Sequence, residues 1–280
     1  MQRIEFYQSL WAMELRRPGE AERPLEVMVE QIAEAGFAGV CLDLAMSDAP
    51  LAEAARPLLE QHRLKCLFNG FPRSDDELRF MLGMAKDYGA PFLSVIGQVT
   101  PPDVNGMIEV ARRWIDLAGE AGLPLLFETH RHGLLNDLFP TLQMLGAVDD
   151  LNLCADLSHF IIDREFALPI DPEADAMIQR VLDRSWAFQG RIASNEQIQV
   201  QLDFPQHSRW VDQFFGWWGR GLRSWRARAP QDAIVTFLCE LGPPPYAITG
   251  ADGLELSDRW REAHAIRERV SALWSAMETP

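Results

Sequence analysis

The sequence is short of positive charge. Its 280 residues carry 26 Lys and Arg against 41 Asp and Glu, a formal net charge of −15, and Lys65 and Lys86 are its two lysines. Such a field repels phosphate backbones and anionic lipid surfaces, so neither nucleic acid nor a membrane is an expected partner. No apolar run approaches the roughly 20 residues that span a bilayer. Glu5 interrupts the first apolar stretch, so no signal peptide is expected. The four cysteines (Cys41, Cys66, Cys154, Cys239) are widely spaced with no CxxC pair. That excludes a dense disulfide framework and suits the reducing cytoplasm, each thiol acting as a small buried apolar group. No Pro/Ser-rich linker or shift in composition divides the chain, so residues 1–280 read as a single domain.

What is present is alternation. Eight β-rich runs are expected as strands: Ile4–Gln8, Gly39–Leu44, Leu64–Asn69, Phe92–Gly97, Leu123–Glu128, Asn152–Asp156, Arg191–Asn195 and Ile234–Glu240. Between them lie stretches of helical period, such as Leu25, Met28, Val29 and Ile32, or Met107, Val110, Ala111, Trp114, Leu117 and Ala118. Ala35-Gly36, Tyr88-Gly89 and Ala121-Gly122 each close a helix just before a strand, as a left-handed terminal glycine does. Near-continuous apolar strands indicate a parallel sheet covered on both faces. Eight strand–helix units indicate one closed (β/α)8 barrel. An open doubly wound sheet would show a glycine-rich phosphate loop after its first strand, and Gln8–Met13 has none. Long loops are expected over Ile161–Pro172 and Glu196–Arg209, on the rim where such barrels build their sites. The aromatic segment Trp210–Arg228 reads as core packing or, alternatively, as the surface of a homodimer.

Three apolar strands end in acids: Leu126-Phe127-Glu128, Leu153-Cys154-Ala155-Asp156 and Phe237-Leu238-Cys239-Glu240. A carboxylate there is expensive to desolvate and must be paired, protonated or bound to a cation. Barrel closure would gather all three around one pocket, a site for Mn²⁺ or Mg²⁺, with Co²⁺ or Zn²⁺ as alternatives. The competing reading pairs them with arginines such as Arg131 or Arg191.

Phe127-Glu128-Thr129-His130-Arg131, Ala155-Asp156-Leu157-Ser158-His159 and Cys239-Glu240-Leu241-Gly242-Pro243-Pro244-Pro245-Tyr246 together resemble the xylose isomerase-like TIM-barrel superfamily. This is the sugar-phosphate isomerase/epimerase group, with hydroxypyruvate isomerases and ketose 3-epimerases. The resemblance implies a divalent metal held by Glu, Asp, His and Glu, of which Glu128, Asp156 and Glu240 match three. It implies a substrate contact for the His three residues after the Asp, here His159. It also implies a seventh strand carrying a metal-ligating His, then a substrate-binding Arg two residues on. In Arg191-Ile192-Ala193-Ser194-Asn195-Glu196 those places fall to Ala193 and Asn195. Asn195 or Glu196 would have to replace the ligand oxygen, or the site has lost it.

The expected chemistry is isomerisation or epimerisation of a sugar or small α-hydroxy carbonyl through an enediolate. Glu128 and Glu240 would be the proton-transfer pair, with His159, His130, Trp11 and Asn195 facing the substrate. A non-catalytic barrel and a related lyase or dehydratase are the alternatives. A DNA repair endonuclease of this barrel type would need more histidines and a basic groove. No basic cluster near the rim argues for a substrate phosphate, with Arg131, Arg164 and Arg209 as the candidates to bind one.

Overall fold

The apolar runs form eight parallel strands, and the sheet they make closes on itself. In a computed structural model describing residues 1–277, these are β1 (Arg3–Ser9), β2 (Gly39–Leu44), β3 (Lys65–Gly70), β4 (Leu93–Val95), β5 (Leu125–Glu128), β6 (Leu153–Ala155), β7 (Ser185–Gly190) and β8 (Ile234–Cys239). Each pairs with the next, and β8 returns to β1 with Phe237 opposite Phe6.

The helices sheathe this barrel: α1 (Leu25–Glu34), α2 (Ala49–His62), α3 (Asp75–Asp87), α4 (Val104–Ala121), α5 (Leu138–Ala147), α6 (Leu157–Asp163), α7 (Pro172–Leu182), α8 (Ser208–Arg228) and α9 (Arg259–Ala276). Their starts follow capping chemistry. Ser74, Asp103, Asp137, Asp156, Asp171 and Asp258 each accept a backbone N–H from the first turn that follows. Gly36, Gly89 and Gly122 adopt φ of 73°, 66° and 67° where helix turns into strand, the conformation expected at those junctions.

Two apolar compartments result. The larger lies between strands and helices and includes Phe68, Trp114, Phe127, Phe188 and Phe237. The smaller lies inside the barrel, formed by Tyr7, Cys41, Leu67 and Leu238 on one side and Leu126, Cys154 and Ala187 on the other. The space left within that inner layer is about 10 Å³, room for one water at most.

One sequence reading changes and one is decided. The seventh strand is Ser185–Gly190, not Arg191–Asn195: Ala193 joins the outer core and Asn195 lies in the loop beyond. Trp186-Ala187-Phe188-Gln189 has few β-branched residues because its inner face is given to small and polar groups. The aromatics of α8, in turn, belong to the core. Trp217, Trp218 and Trp225 are fully buried, and the Trp218 ring meets Phe237 of β8 edge-on at 5.2 Å. These side chains are therefore not available as a dimer surface.

Candidate functional site

Side chains on a strand alternate, so a residue two beyond an inward-facing one faces inward again. Leu126, Cys154, Ala187 and Leu238 form part of the inner apolar layer. Two residues further along stand Glu128, Asp156, Gln189 and Glu240, one polar group from each of four neighbouring strand ends, all buried. Glu128, Asp156 and Glu240 each bring a carboxylate oxygen within 4.8 Å of the others. Barrel closure thus makes one cluster from acids 112 residues apart at the extremes, 128 to 240.

The chain supplies one cation of its own. Arg191, buried, sets Nη1 3.2 Å from Asp156 Oδ2 and Nη2 3.4 Å from Glu240 Oε2. Its Nε donates to the Glu240 carbonyl at 3.1 Å, and Nη1 lies 3.3 Å from His159 Nε2. The reading of three acids relieved only by a bound ion is corrected: they face inward, and Asp156 and Glu240 also meet an arginine. Three carboxylates less one guanidinium still leave two negative charges if all are ionised.

The remaining contacts fix orientations. Asp156 caps α6, its Oδ1 accepting from Ser158 N at 3.0 Å and Ser158 Oγ at 2.5 Å, so Oδ2 is the oxygen left for the cluster. Gln189 Nε2 donates to Glu128 Oε2 at 2.7 Å, and Asn69 Nδ2 donates to Glu240 Oε1 at 3.2 Å. His159 Nε2 lies 3.4 Å from Asp156 Oδ2. The His130 ring packs against that of His159 with centroids 3.9 Å apart, and both can also approach Glu128.

Burial sets the protonation. It pushes Glu128 well above the usual carboxylate range, with Glu240 and Asp156 adding and Arg191 opposing. Glu240 is raised to about 8 by burial, against the pull of Arg191 and with Asp43 adding. Asp156 goes the other way: burial would raise it, but Arg191, His159 and Ser158 hold it far below the usual range. Burial keeps both histidines neutral, lowering His159 and bringing His130 down to about 2. The site therefore holds one firm carboxylate and two that readily take protons, the asymmetry that acid–base pairs need.

Gln189 and Asp43 were not singled out from the sequence, whereas Arg191 was named there as an ion-pair partner for the acids, the role it has. Gln189 and Arg191 are two apart at the end of the true β7, the spacing of the His and Arg that the resemblance implies. Ala193 and Asn195 are each four residues too far along. Asn195 is half-buried and directs Nδ2 to Glu196, 3.4 Å away, with no hydrogen bond or ion pair to the cluster among the described residues. Asp43, at the end of β2, is a fourth acid near the site, raised to about 7 by burial and Asp48 against Arg191. Its signal, Leu42-Asp43-Leu44, has the same strand-end form as the other three. Trp11 is where a substrate contact was expected, half-buried beside the cluster. It meets Tyr246 edge-on at 5.2 Å, and the Arg191 guanidinium lies 4.8 Å from the Tyr246 ring and 5.8 Å from that of Trp11.

The residues fit a divalent cation. Glu128, Asp156 and Glu240 are buried, their charge when ionised exceeds that of Arg191, and Gln189 Oε1 is buried with no hydrogen-bond donor among the described residues.

No protein-family profile and no curated protein matches the chain. Solved structures do match in fold. A xylose isomerase-like TIM-barrel protein from Mycobacterium smegmatis, in complex with magnesium, superposes with a TM-score of 0.61 at 14% identity, covering 97% of this chain and 98% of that one. D-allulose 3-epimerase from Methylomonas sp. gives 0.62 at 14% identity, covering 98% and 99%. A probable 3-DHS dehydratase involved in petrobactin synthesis, from Bacillus anthracis, gives 0.55 at 13% identity, covering 96% and 98%. The chain has the fold of xylose isomerase-like barrels.

Proposed function

We propose that the protein is a divalent-metal-dependent isomerase or epimerase of a small sugar or related α-hydroxy carbonyl. The observation that carries this is the convergence of Glu128, Asp156 and Glu240 within 4.8 Å inside the barrel mouth. Those three residues would hold Mn²⁺ or Mg²⁺, which when bound acidifies the C–H next to a carbonyl and stabilises an enediolate. Glu128 and Glu240 stand as the proton-transfer pair, because burial lets each carry a proton near neutral pH. Asn69 and Gln189 orient these two carboxylates. His159, neutral and buried, faces the substrate's oxygens with His130 packed against it, and Trp11 and Tyr246 wall the entrance. Of the arginines that could meet a phosphate, Arg164 is engaged by Asp137 and Arg191 by the acids, while Arg131 lies over the Tyr246 ring. The four free, buried thiols and the acidic charge support a cytoplasmic protein that binds neither nucleic acid nor membranes. No helix among the described residues is long and apolar enough to cross a membrane.

The test is metal analysis of the purified protein with an isomerisation assay on a ketose panel, wild type against Glu240→Gln. A loss of about 10²-fold or more is expected; unchanged activity refutes the assignment. A second reading, a barrel that binds without catalysis, draws on Arg191, which already offsets part of the acids' charge. Absence of heat and of thermal stabilisation with millimolar Mn²⁺ would favour it. A dehydratase would use the same groups up to proton removal, and product analysis in the same assay separates it.

A further inference from the structure

We propose that the cation site is completed by the side-chain amide oxygen of Gln189, giving an all-oxygen donor set of Glu128, Asp156, Gln189 and Glu240 that suits hard cations. The inference rests on the functional reading above and adds to it a ligand and a metal preference.

Gln189 is fully buried. Its Nε2 is engaged by Glu128 Oε2 at 2.7 Å, while its Oε1 has no hydrogen-bond donor among the described residues. An unpartnered buried amide oxygen costs about 1–3 kcal/mol unless something electropositive meets it. Water is excluded from below, because Leu126, Cys154, Ala187 and Leu238 fill the layer beneath. The Arg191 side chain makes its polar contacts with Asp156, Glu240 and His159. A cation shared by the acids would meet the oxygen, and β7 places Gln189 between the strands that carry Asp156 and Glu240.

The donor type decides the preference. Carboxylate and amide oxygens suit Mg²⁺ and Mn²⁺, whereas an imidazole in the same place would favour Zn²⁺ and Co²⁺. Two neutral imidazoles, His130 and His159, stand close to Glu128; in this assignment they face the substrate instead of the ion.

The full chain is titrated calorimetrically with Mn²⁺ and with Zn²⁺, and the bound Mn²⁺ is examined by pulsed electron paramagnetic resonance for coupling to imidazole ¹⁴N. The wild type is expected to bind Mn²⁺ with no imidazole coupling. Gln189→Leu is expected to weaken Mn²⁺ by at least about tenfold. Gln189→His should restore binding, introduce the ¹⁴N coupling and raise the Zn²⁺ to Mn²⁺ affinity ratio by at least about tenfold. Imidazole coupling in the wild type overturns the proposal, as does unchanged Mn²⁺ affinity in Gln189→Leu; both leave the functional reading standing. No Mn²⁺ binding by the wild type overturns both. If Gln189→Leu does not fold, the wild-type spectrum and Gln189→His decide alone.

Discussion

Arg191 and Asp156 form a buried ion pair, Nη1 to Oδ2 at 3.2 Å, inside a barrel mouth that holds two further carboxylates. Removing one partner of such a pair strands the other, at about 3–5 kcal/mol. Arg191→Met keeps much of the volume and removes the charge. Urea denaturation without metal should show a loss of that order, recovered in part by Mn²⁺, which supplies the missing positive charge. A metal-free variant as stable as its parent would show that the guanidinium's charge is not needed.

The pH dependence of stability follows from Glu240. Its folded-state pKa, about 8, lies above its ordinary value of 4.5, with burial as the main cause. The folded protein therefore binds this proton more tightly than the unfolded chain. The stabilisation is complete below about 4.5 and is lost as pH rises through about 8. Metal-free wild type should lose stability between pH 5 and 8 more steeply than Glu240→Gln. Parallel curves for the two proteins would count against a proton on Glu240.

Gly242 connects the site to its entrance. Buried Gln199 holds both backbone groups of Gly242, donating to its carbonyl at 3.0 Å and accepting from its N–H at 2.7 Å. A methyl group there would lie 2.3 Å from the Trp11 ring. Since the backbone is pinned, the ring must move. Gly242→Ala is expected to raise KM for substrate by about tenfold or more, misplaced walls being costly to positioning, with a smaller effect on thermal stability. An unchanged KM would take Trp11 out of the substrate's path.

Trp218→Ala tests the role of α8. The side chain is fully buried against Phe237, so truncation should cost about 3–5 kcal/mol. Sedimentation should give the same mass for variant and parent. A change in mass without a loss of stability would return the aromatic helix to the role of an interface.

The barrel was legible because its signals are local and repeated: apolar runs, helical spacing, and glycines at positive φ before β2, β4 and β5. Glu128, Asp156 and Glu240 were legible because an acid at the end of an apolar strand is anomalous on its own. Asp43 carried the same mark and was passed over. Gln189 was hidden for a physical reason: a neutral amide at a strand end raises no alarm of burial cost, and Gly190 after it reads as a turn. Placing β7 at Arg191–Asn195 instead of Ser185–Gly190 then put Arg191, named as a partner for the acids, inside the strand and moved the ligand position from Gln189 to Ala193. Pairings such as Arg191 with Asp156 and Glu240 depend on closure of the whole sheet, and no window of sequence contains them.

The plug of Leu126, Cys154, Ala187 and Leu238 has a practical meaning for anyone handling this protein. It divides the barrel into two ends that do not communicate through the interior. The Lys65–Glu5 pair and the Tyr7, Phe92 and Trp186 hollow open at the opposite mouth from the acids. Surface attachment through Lys65, or a fluorophore placed in that hollow, would report on or anchor the molecule while leaving the carboxylate end unobstructed.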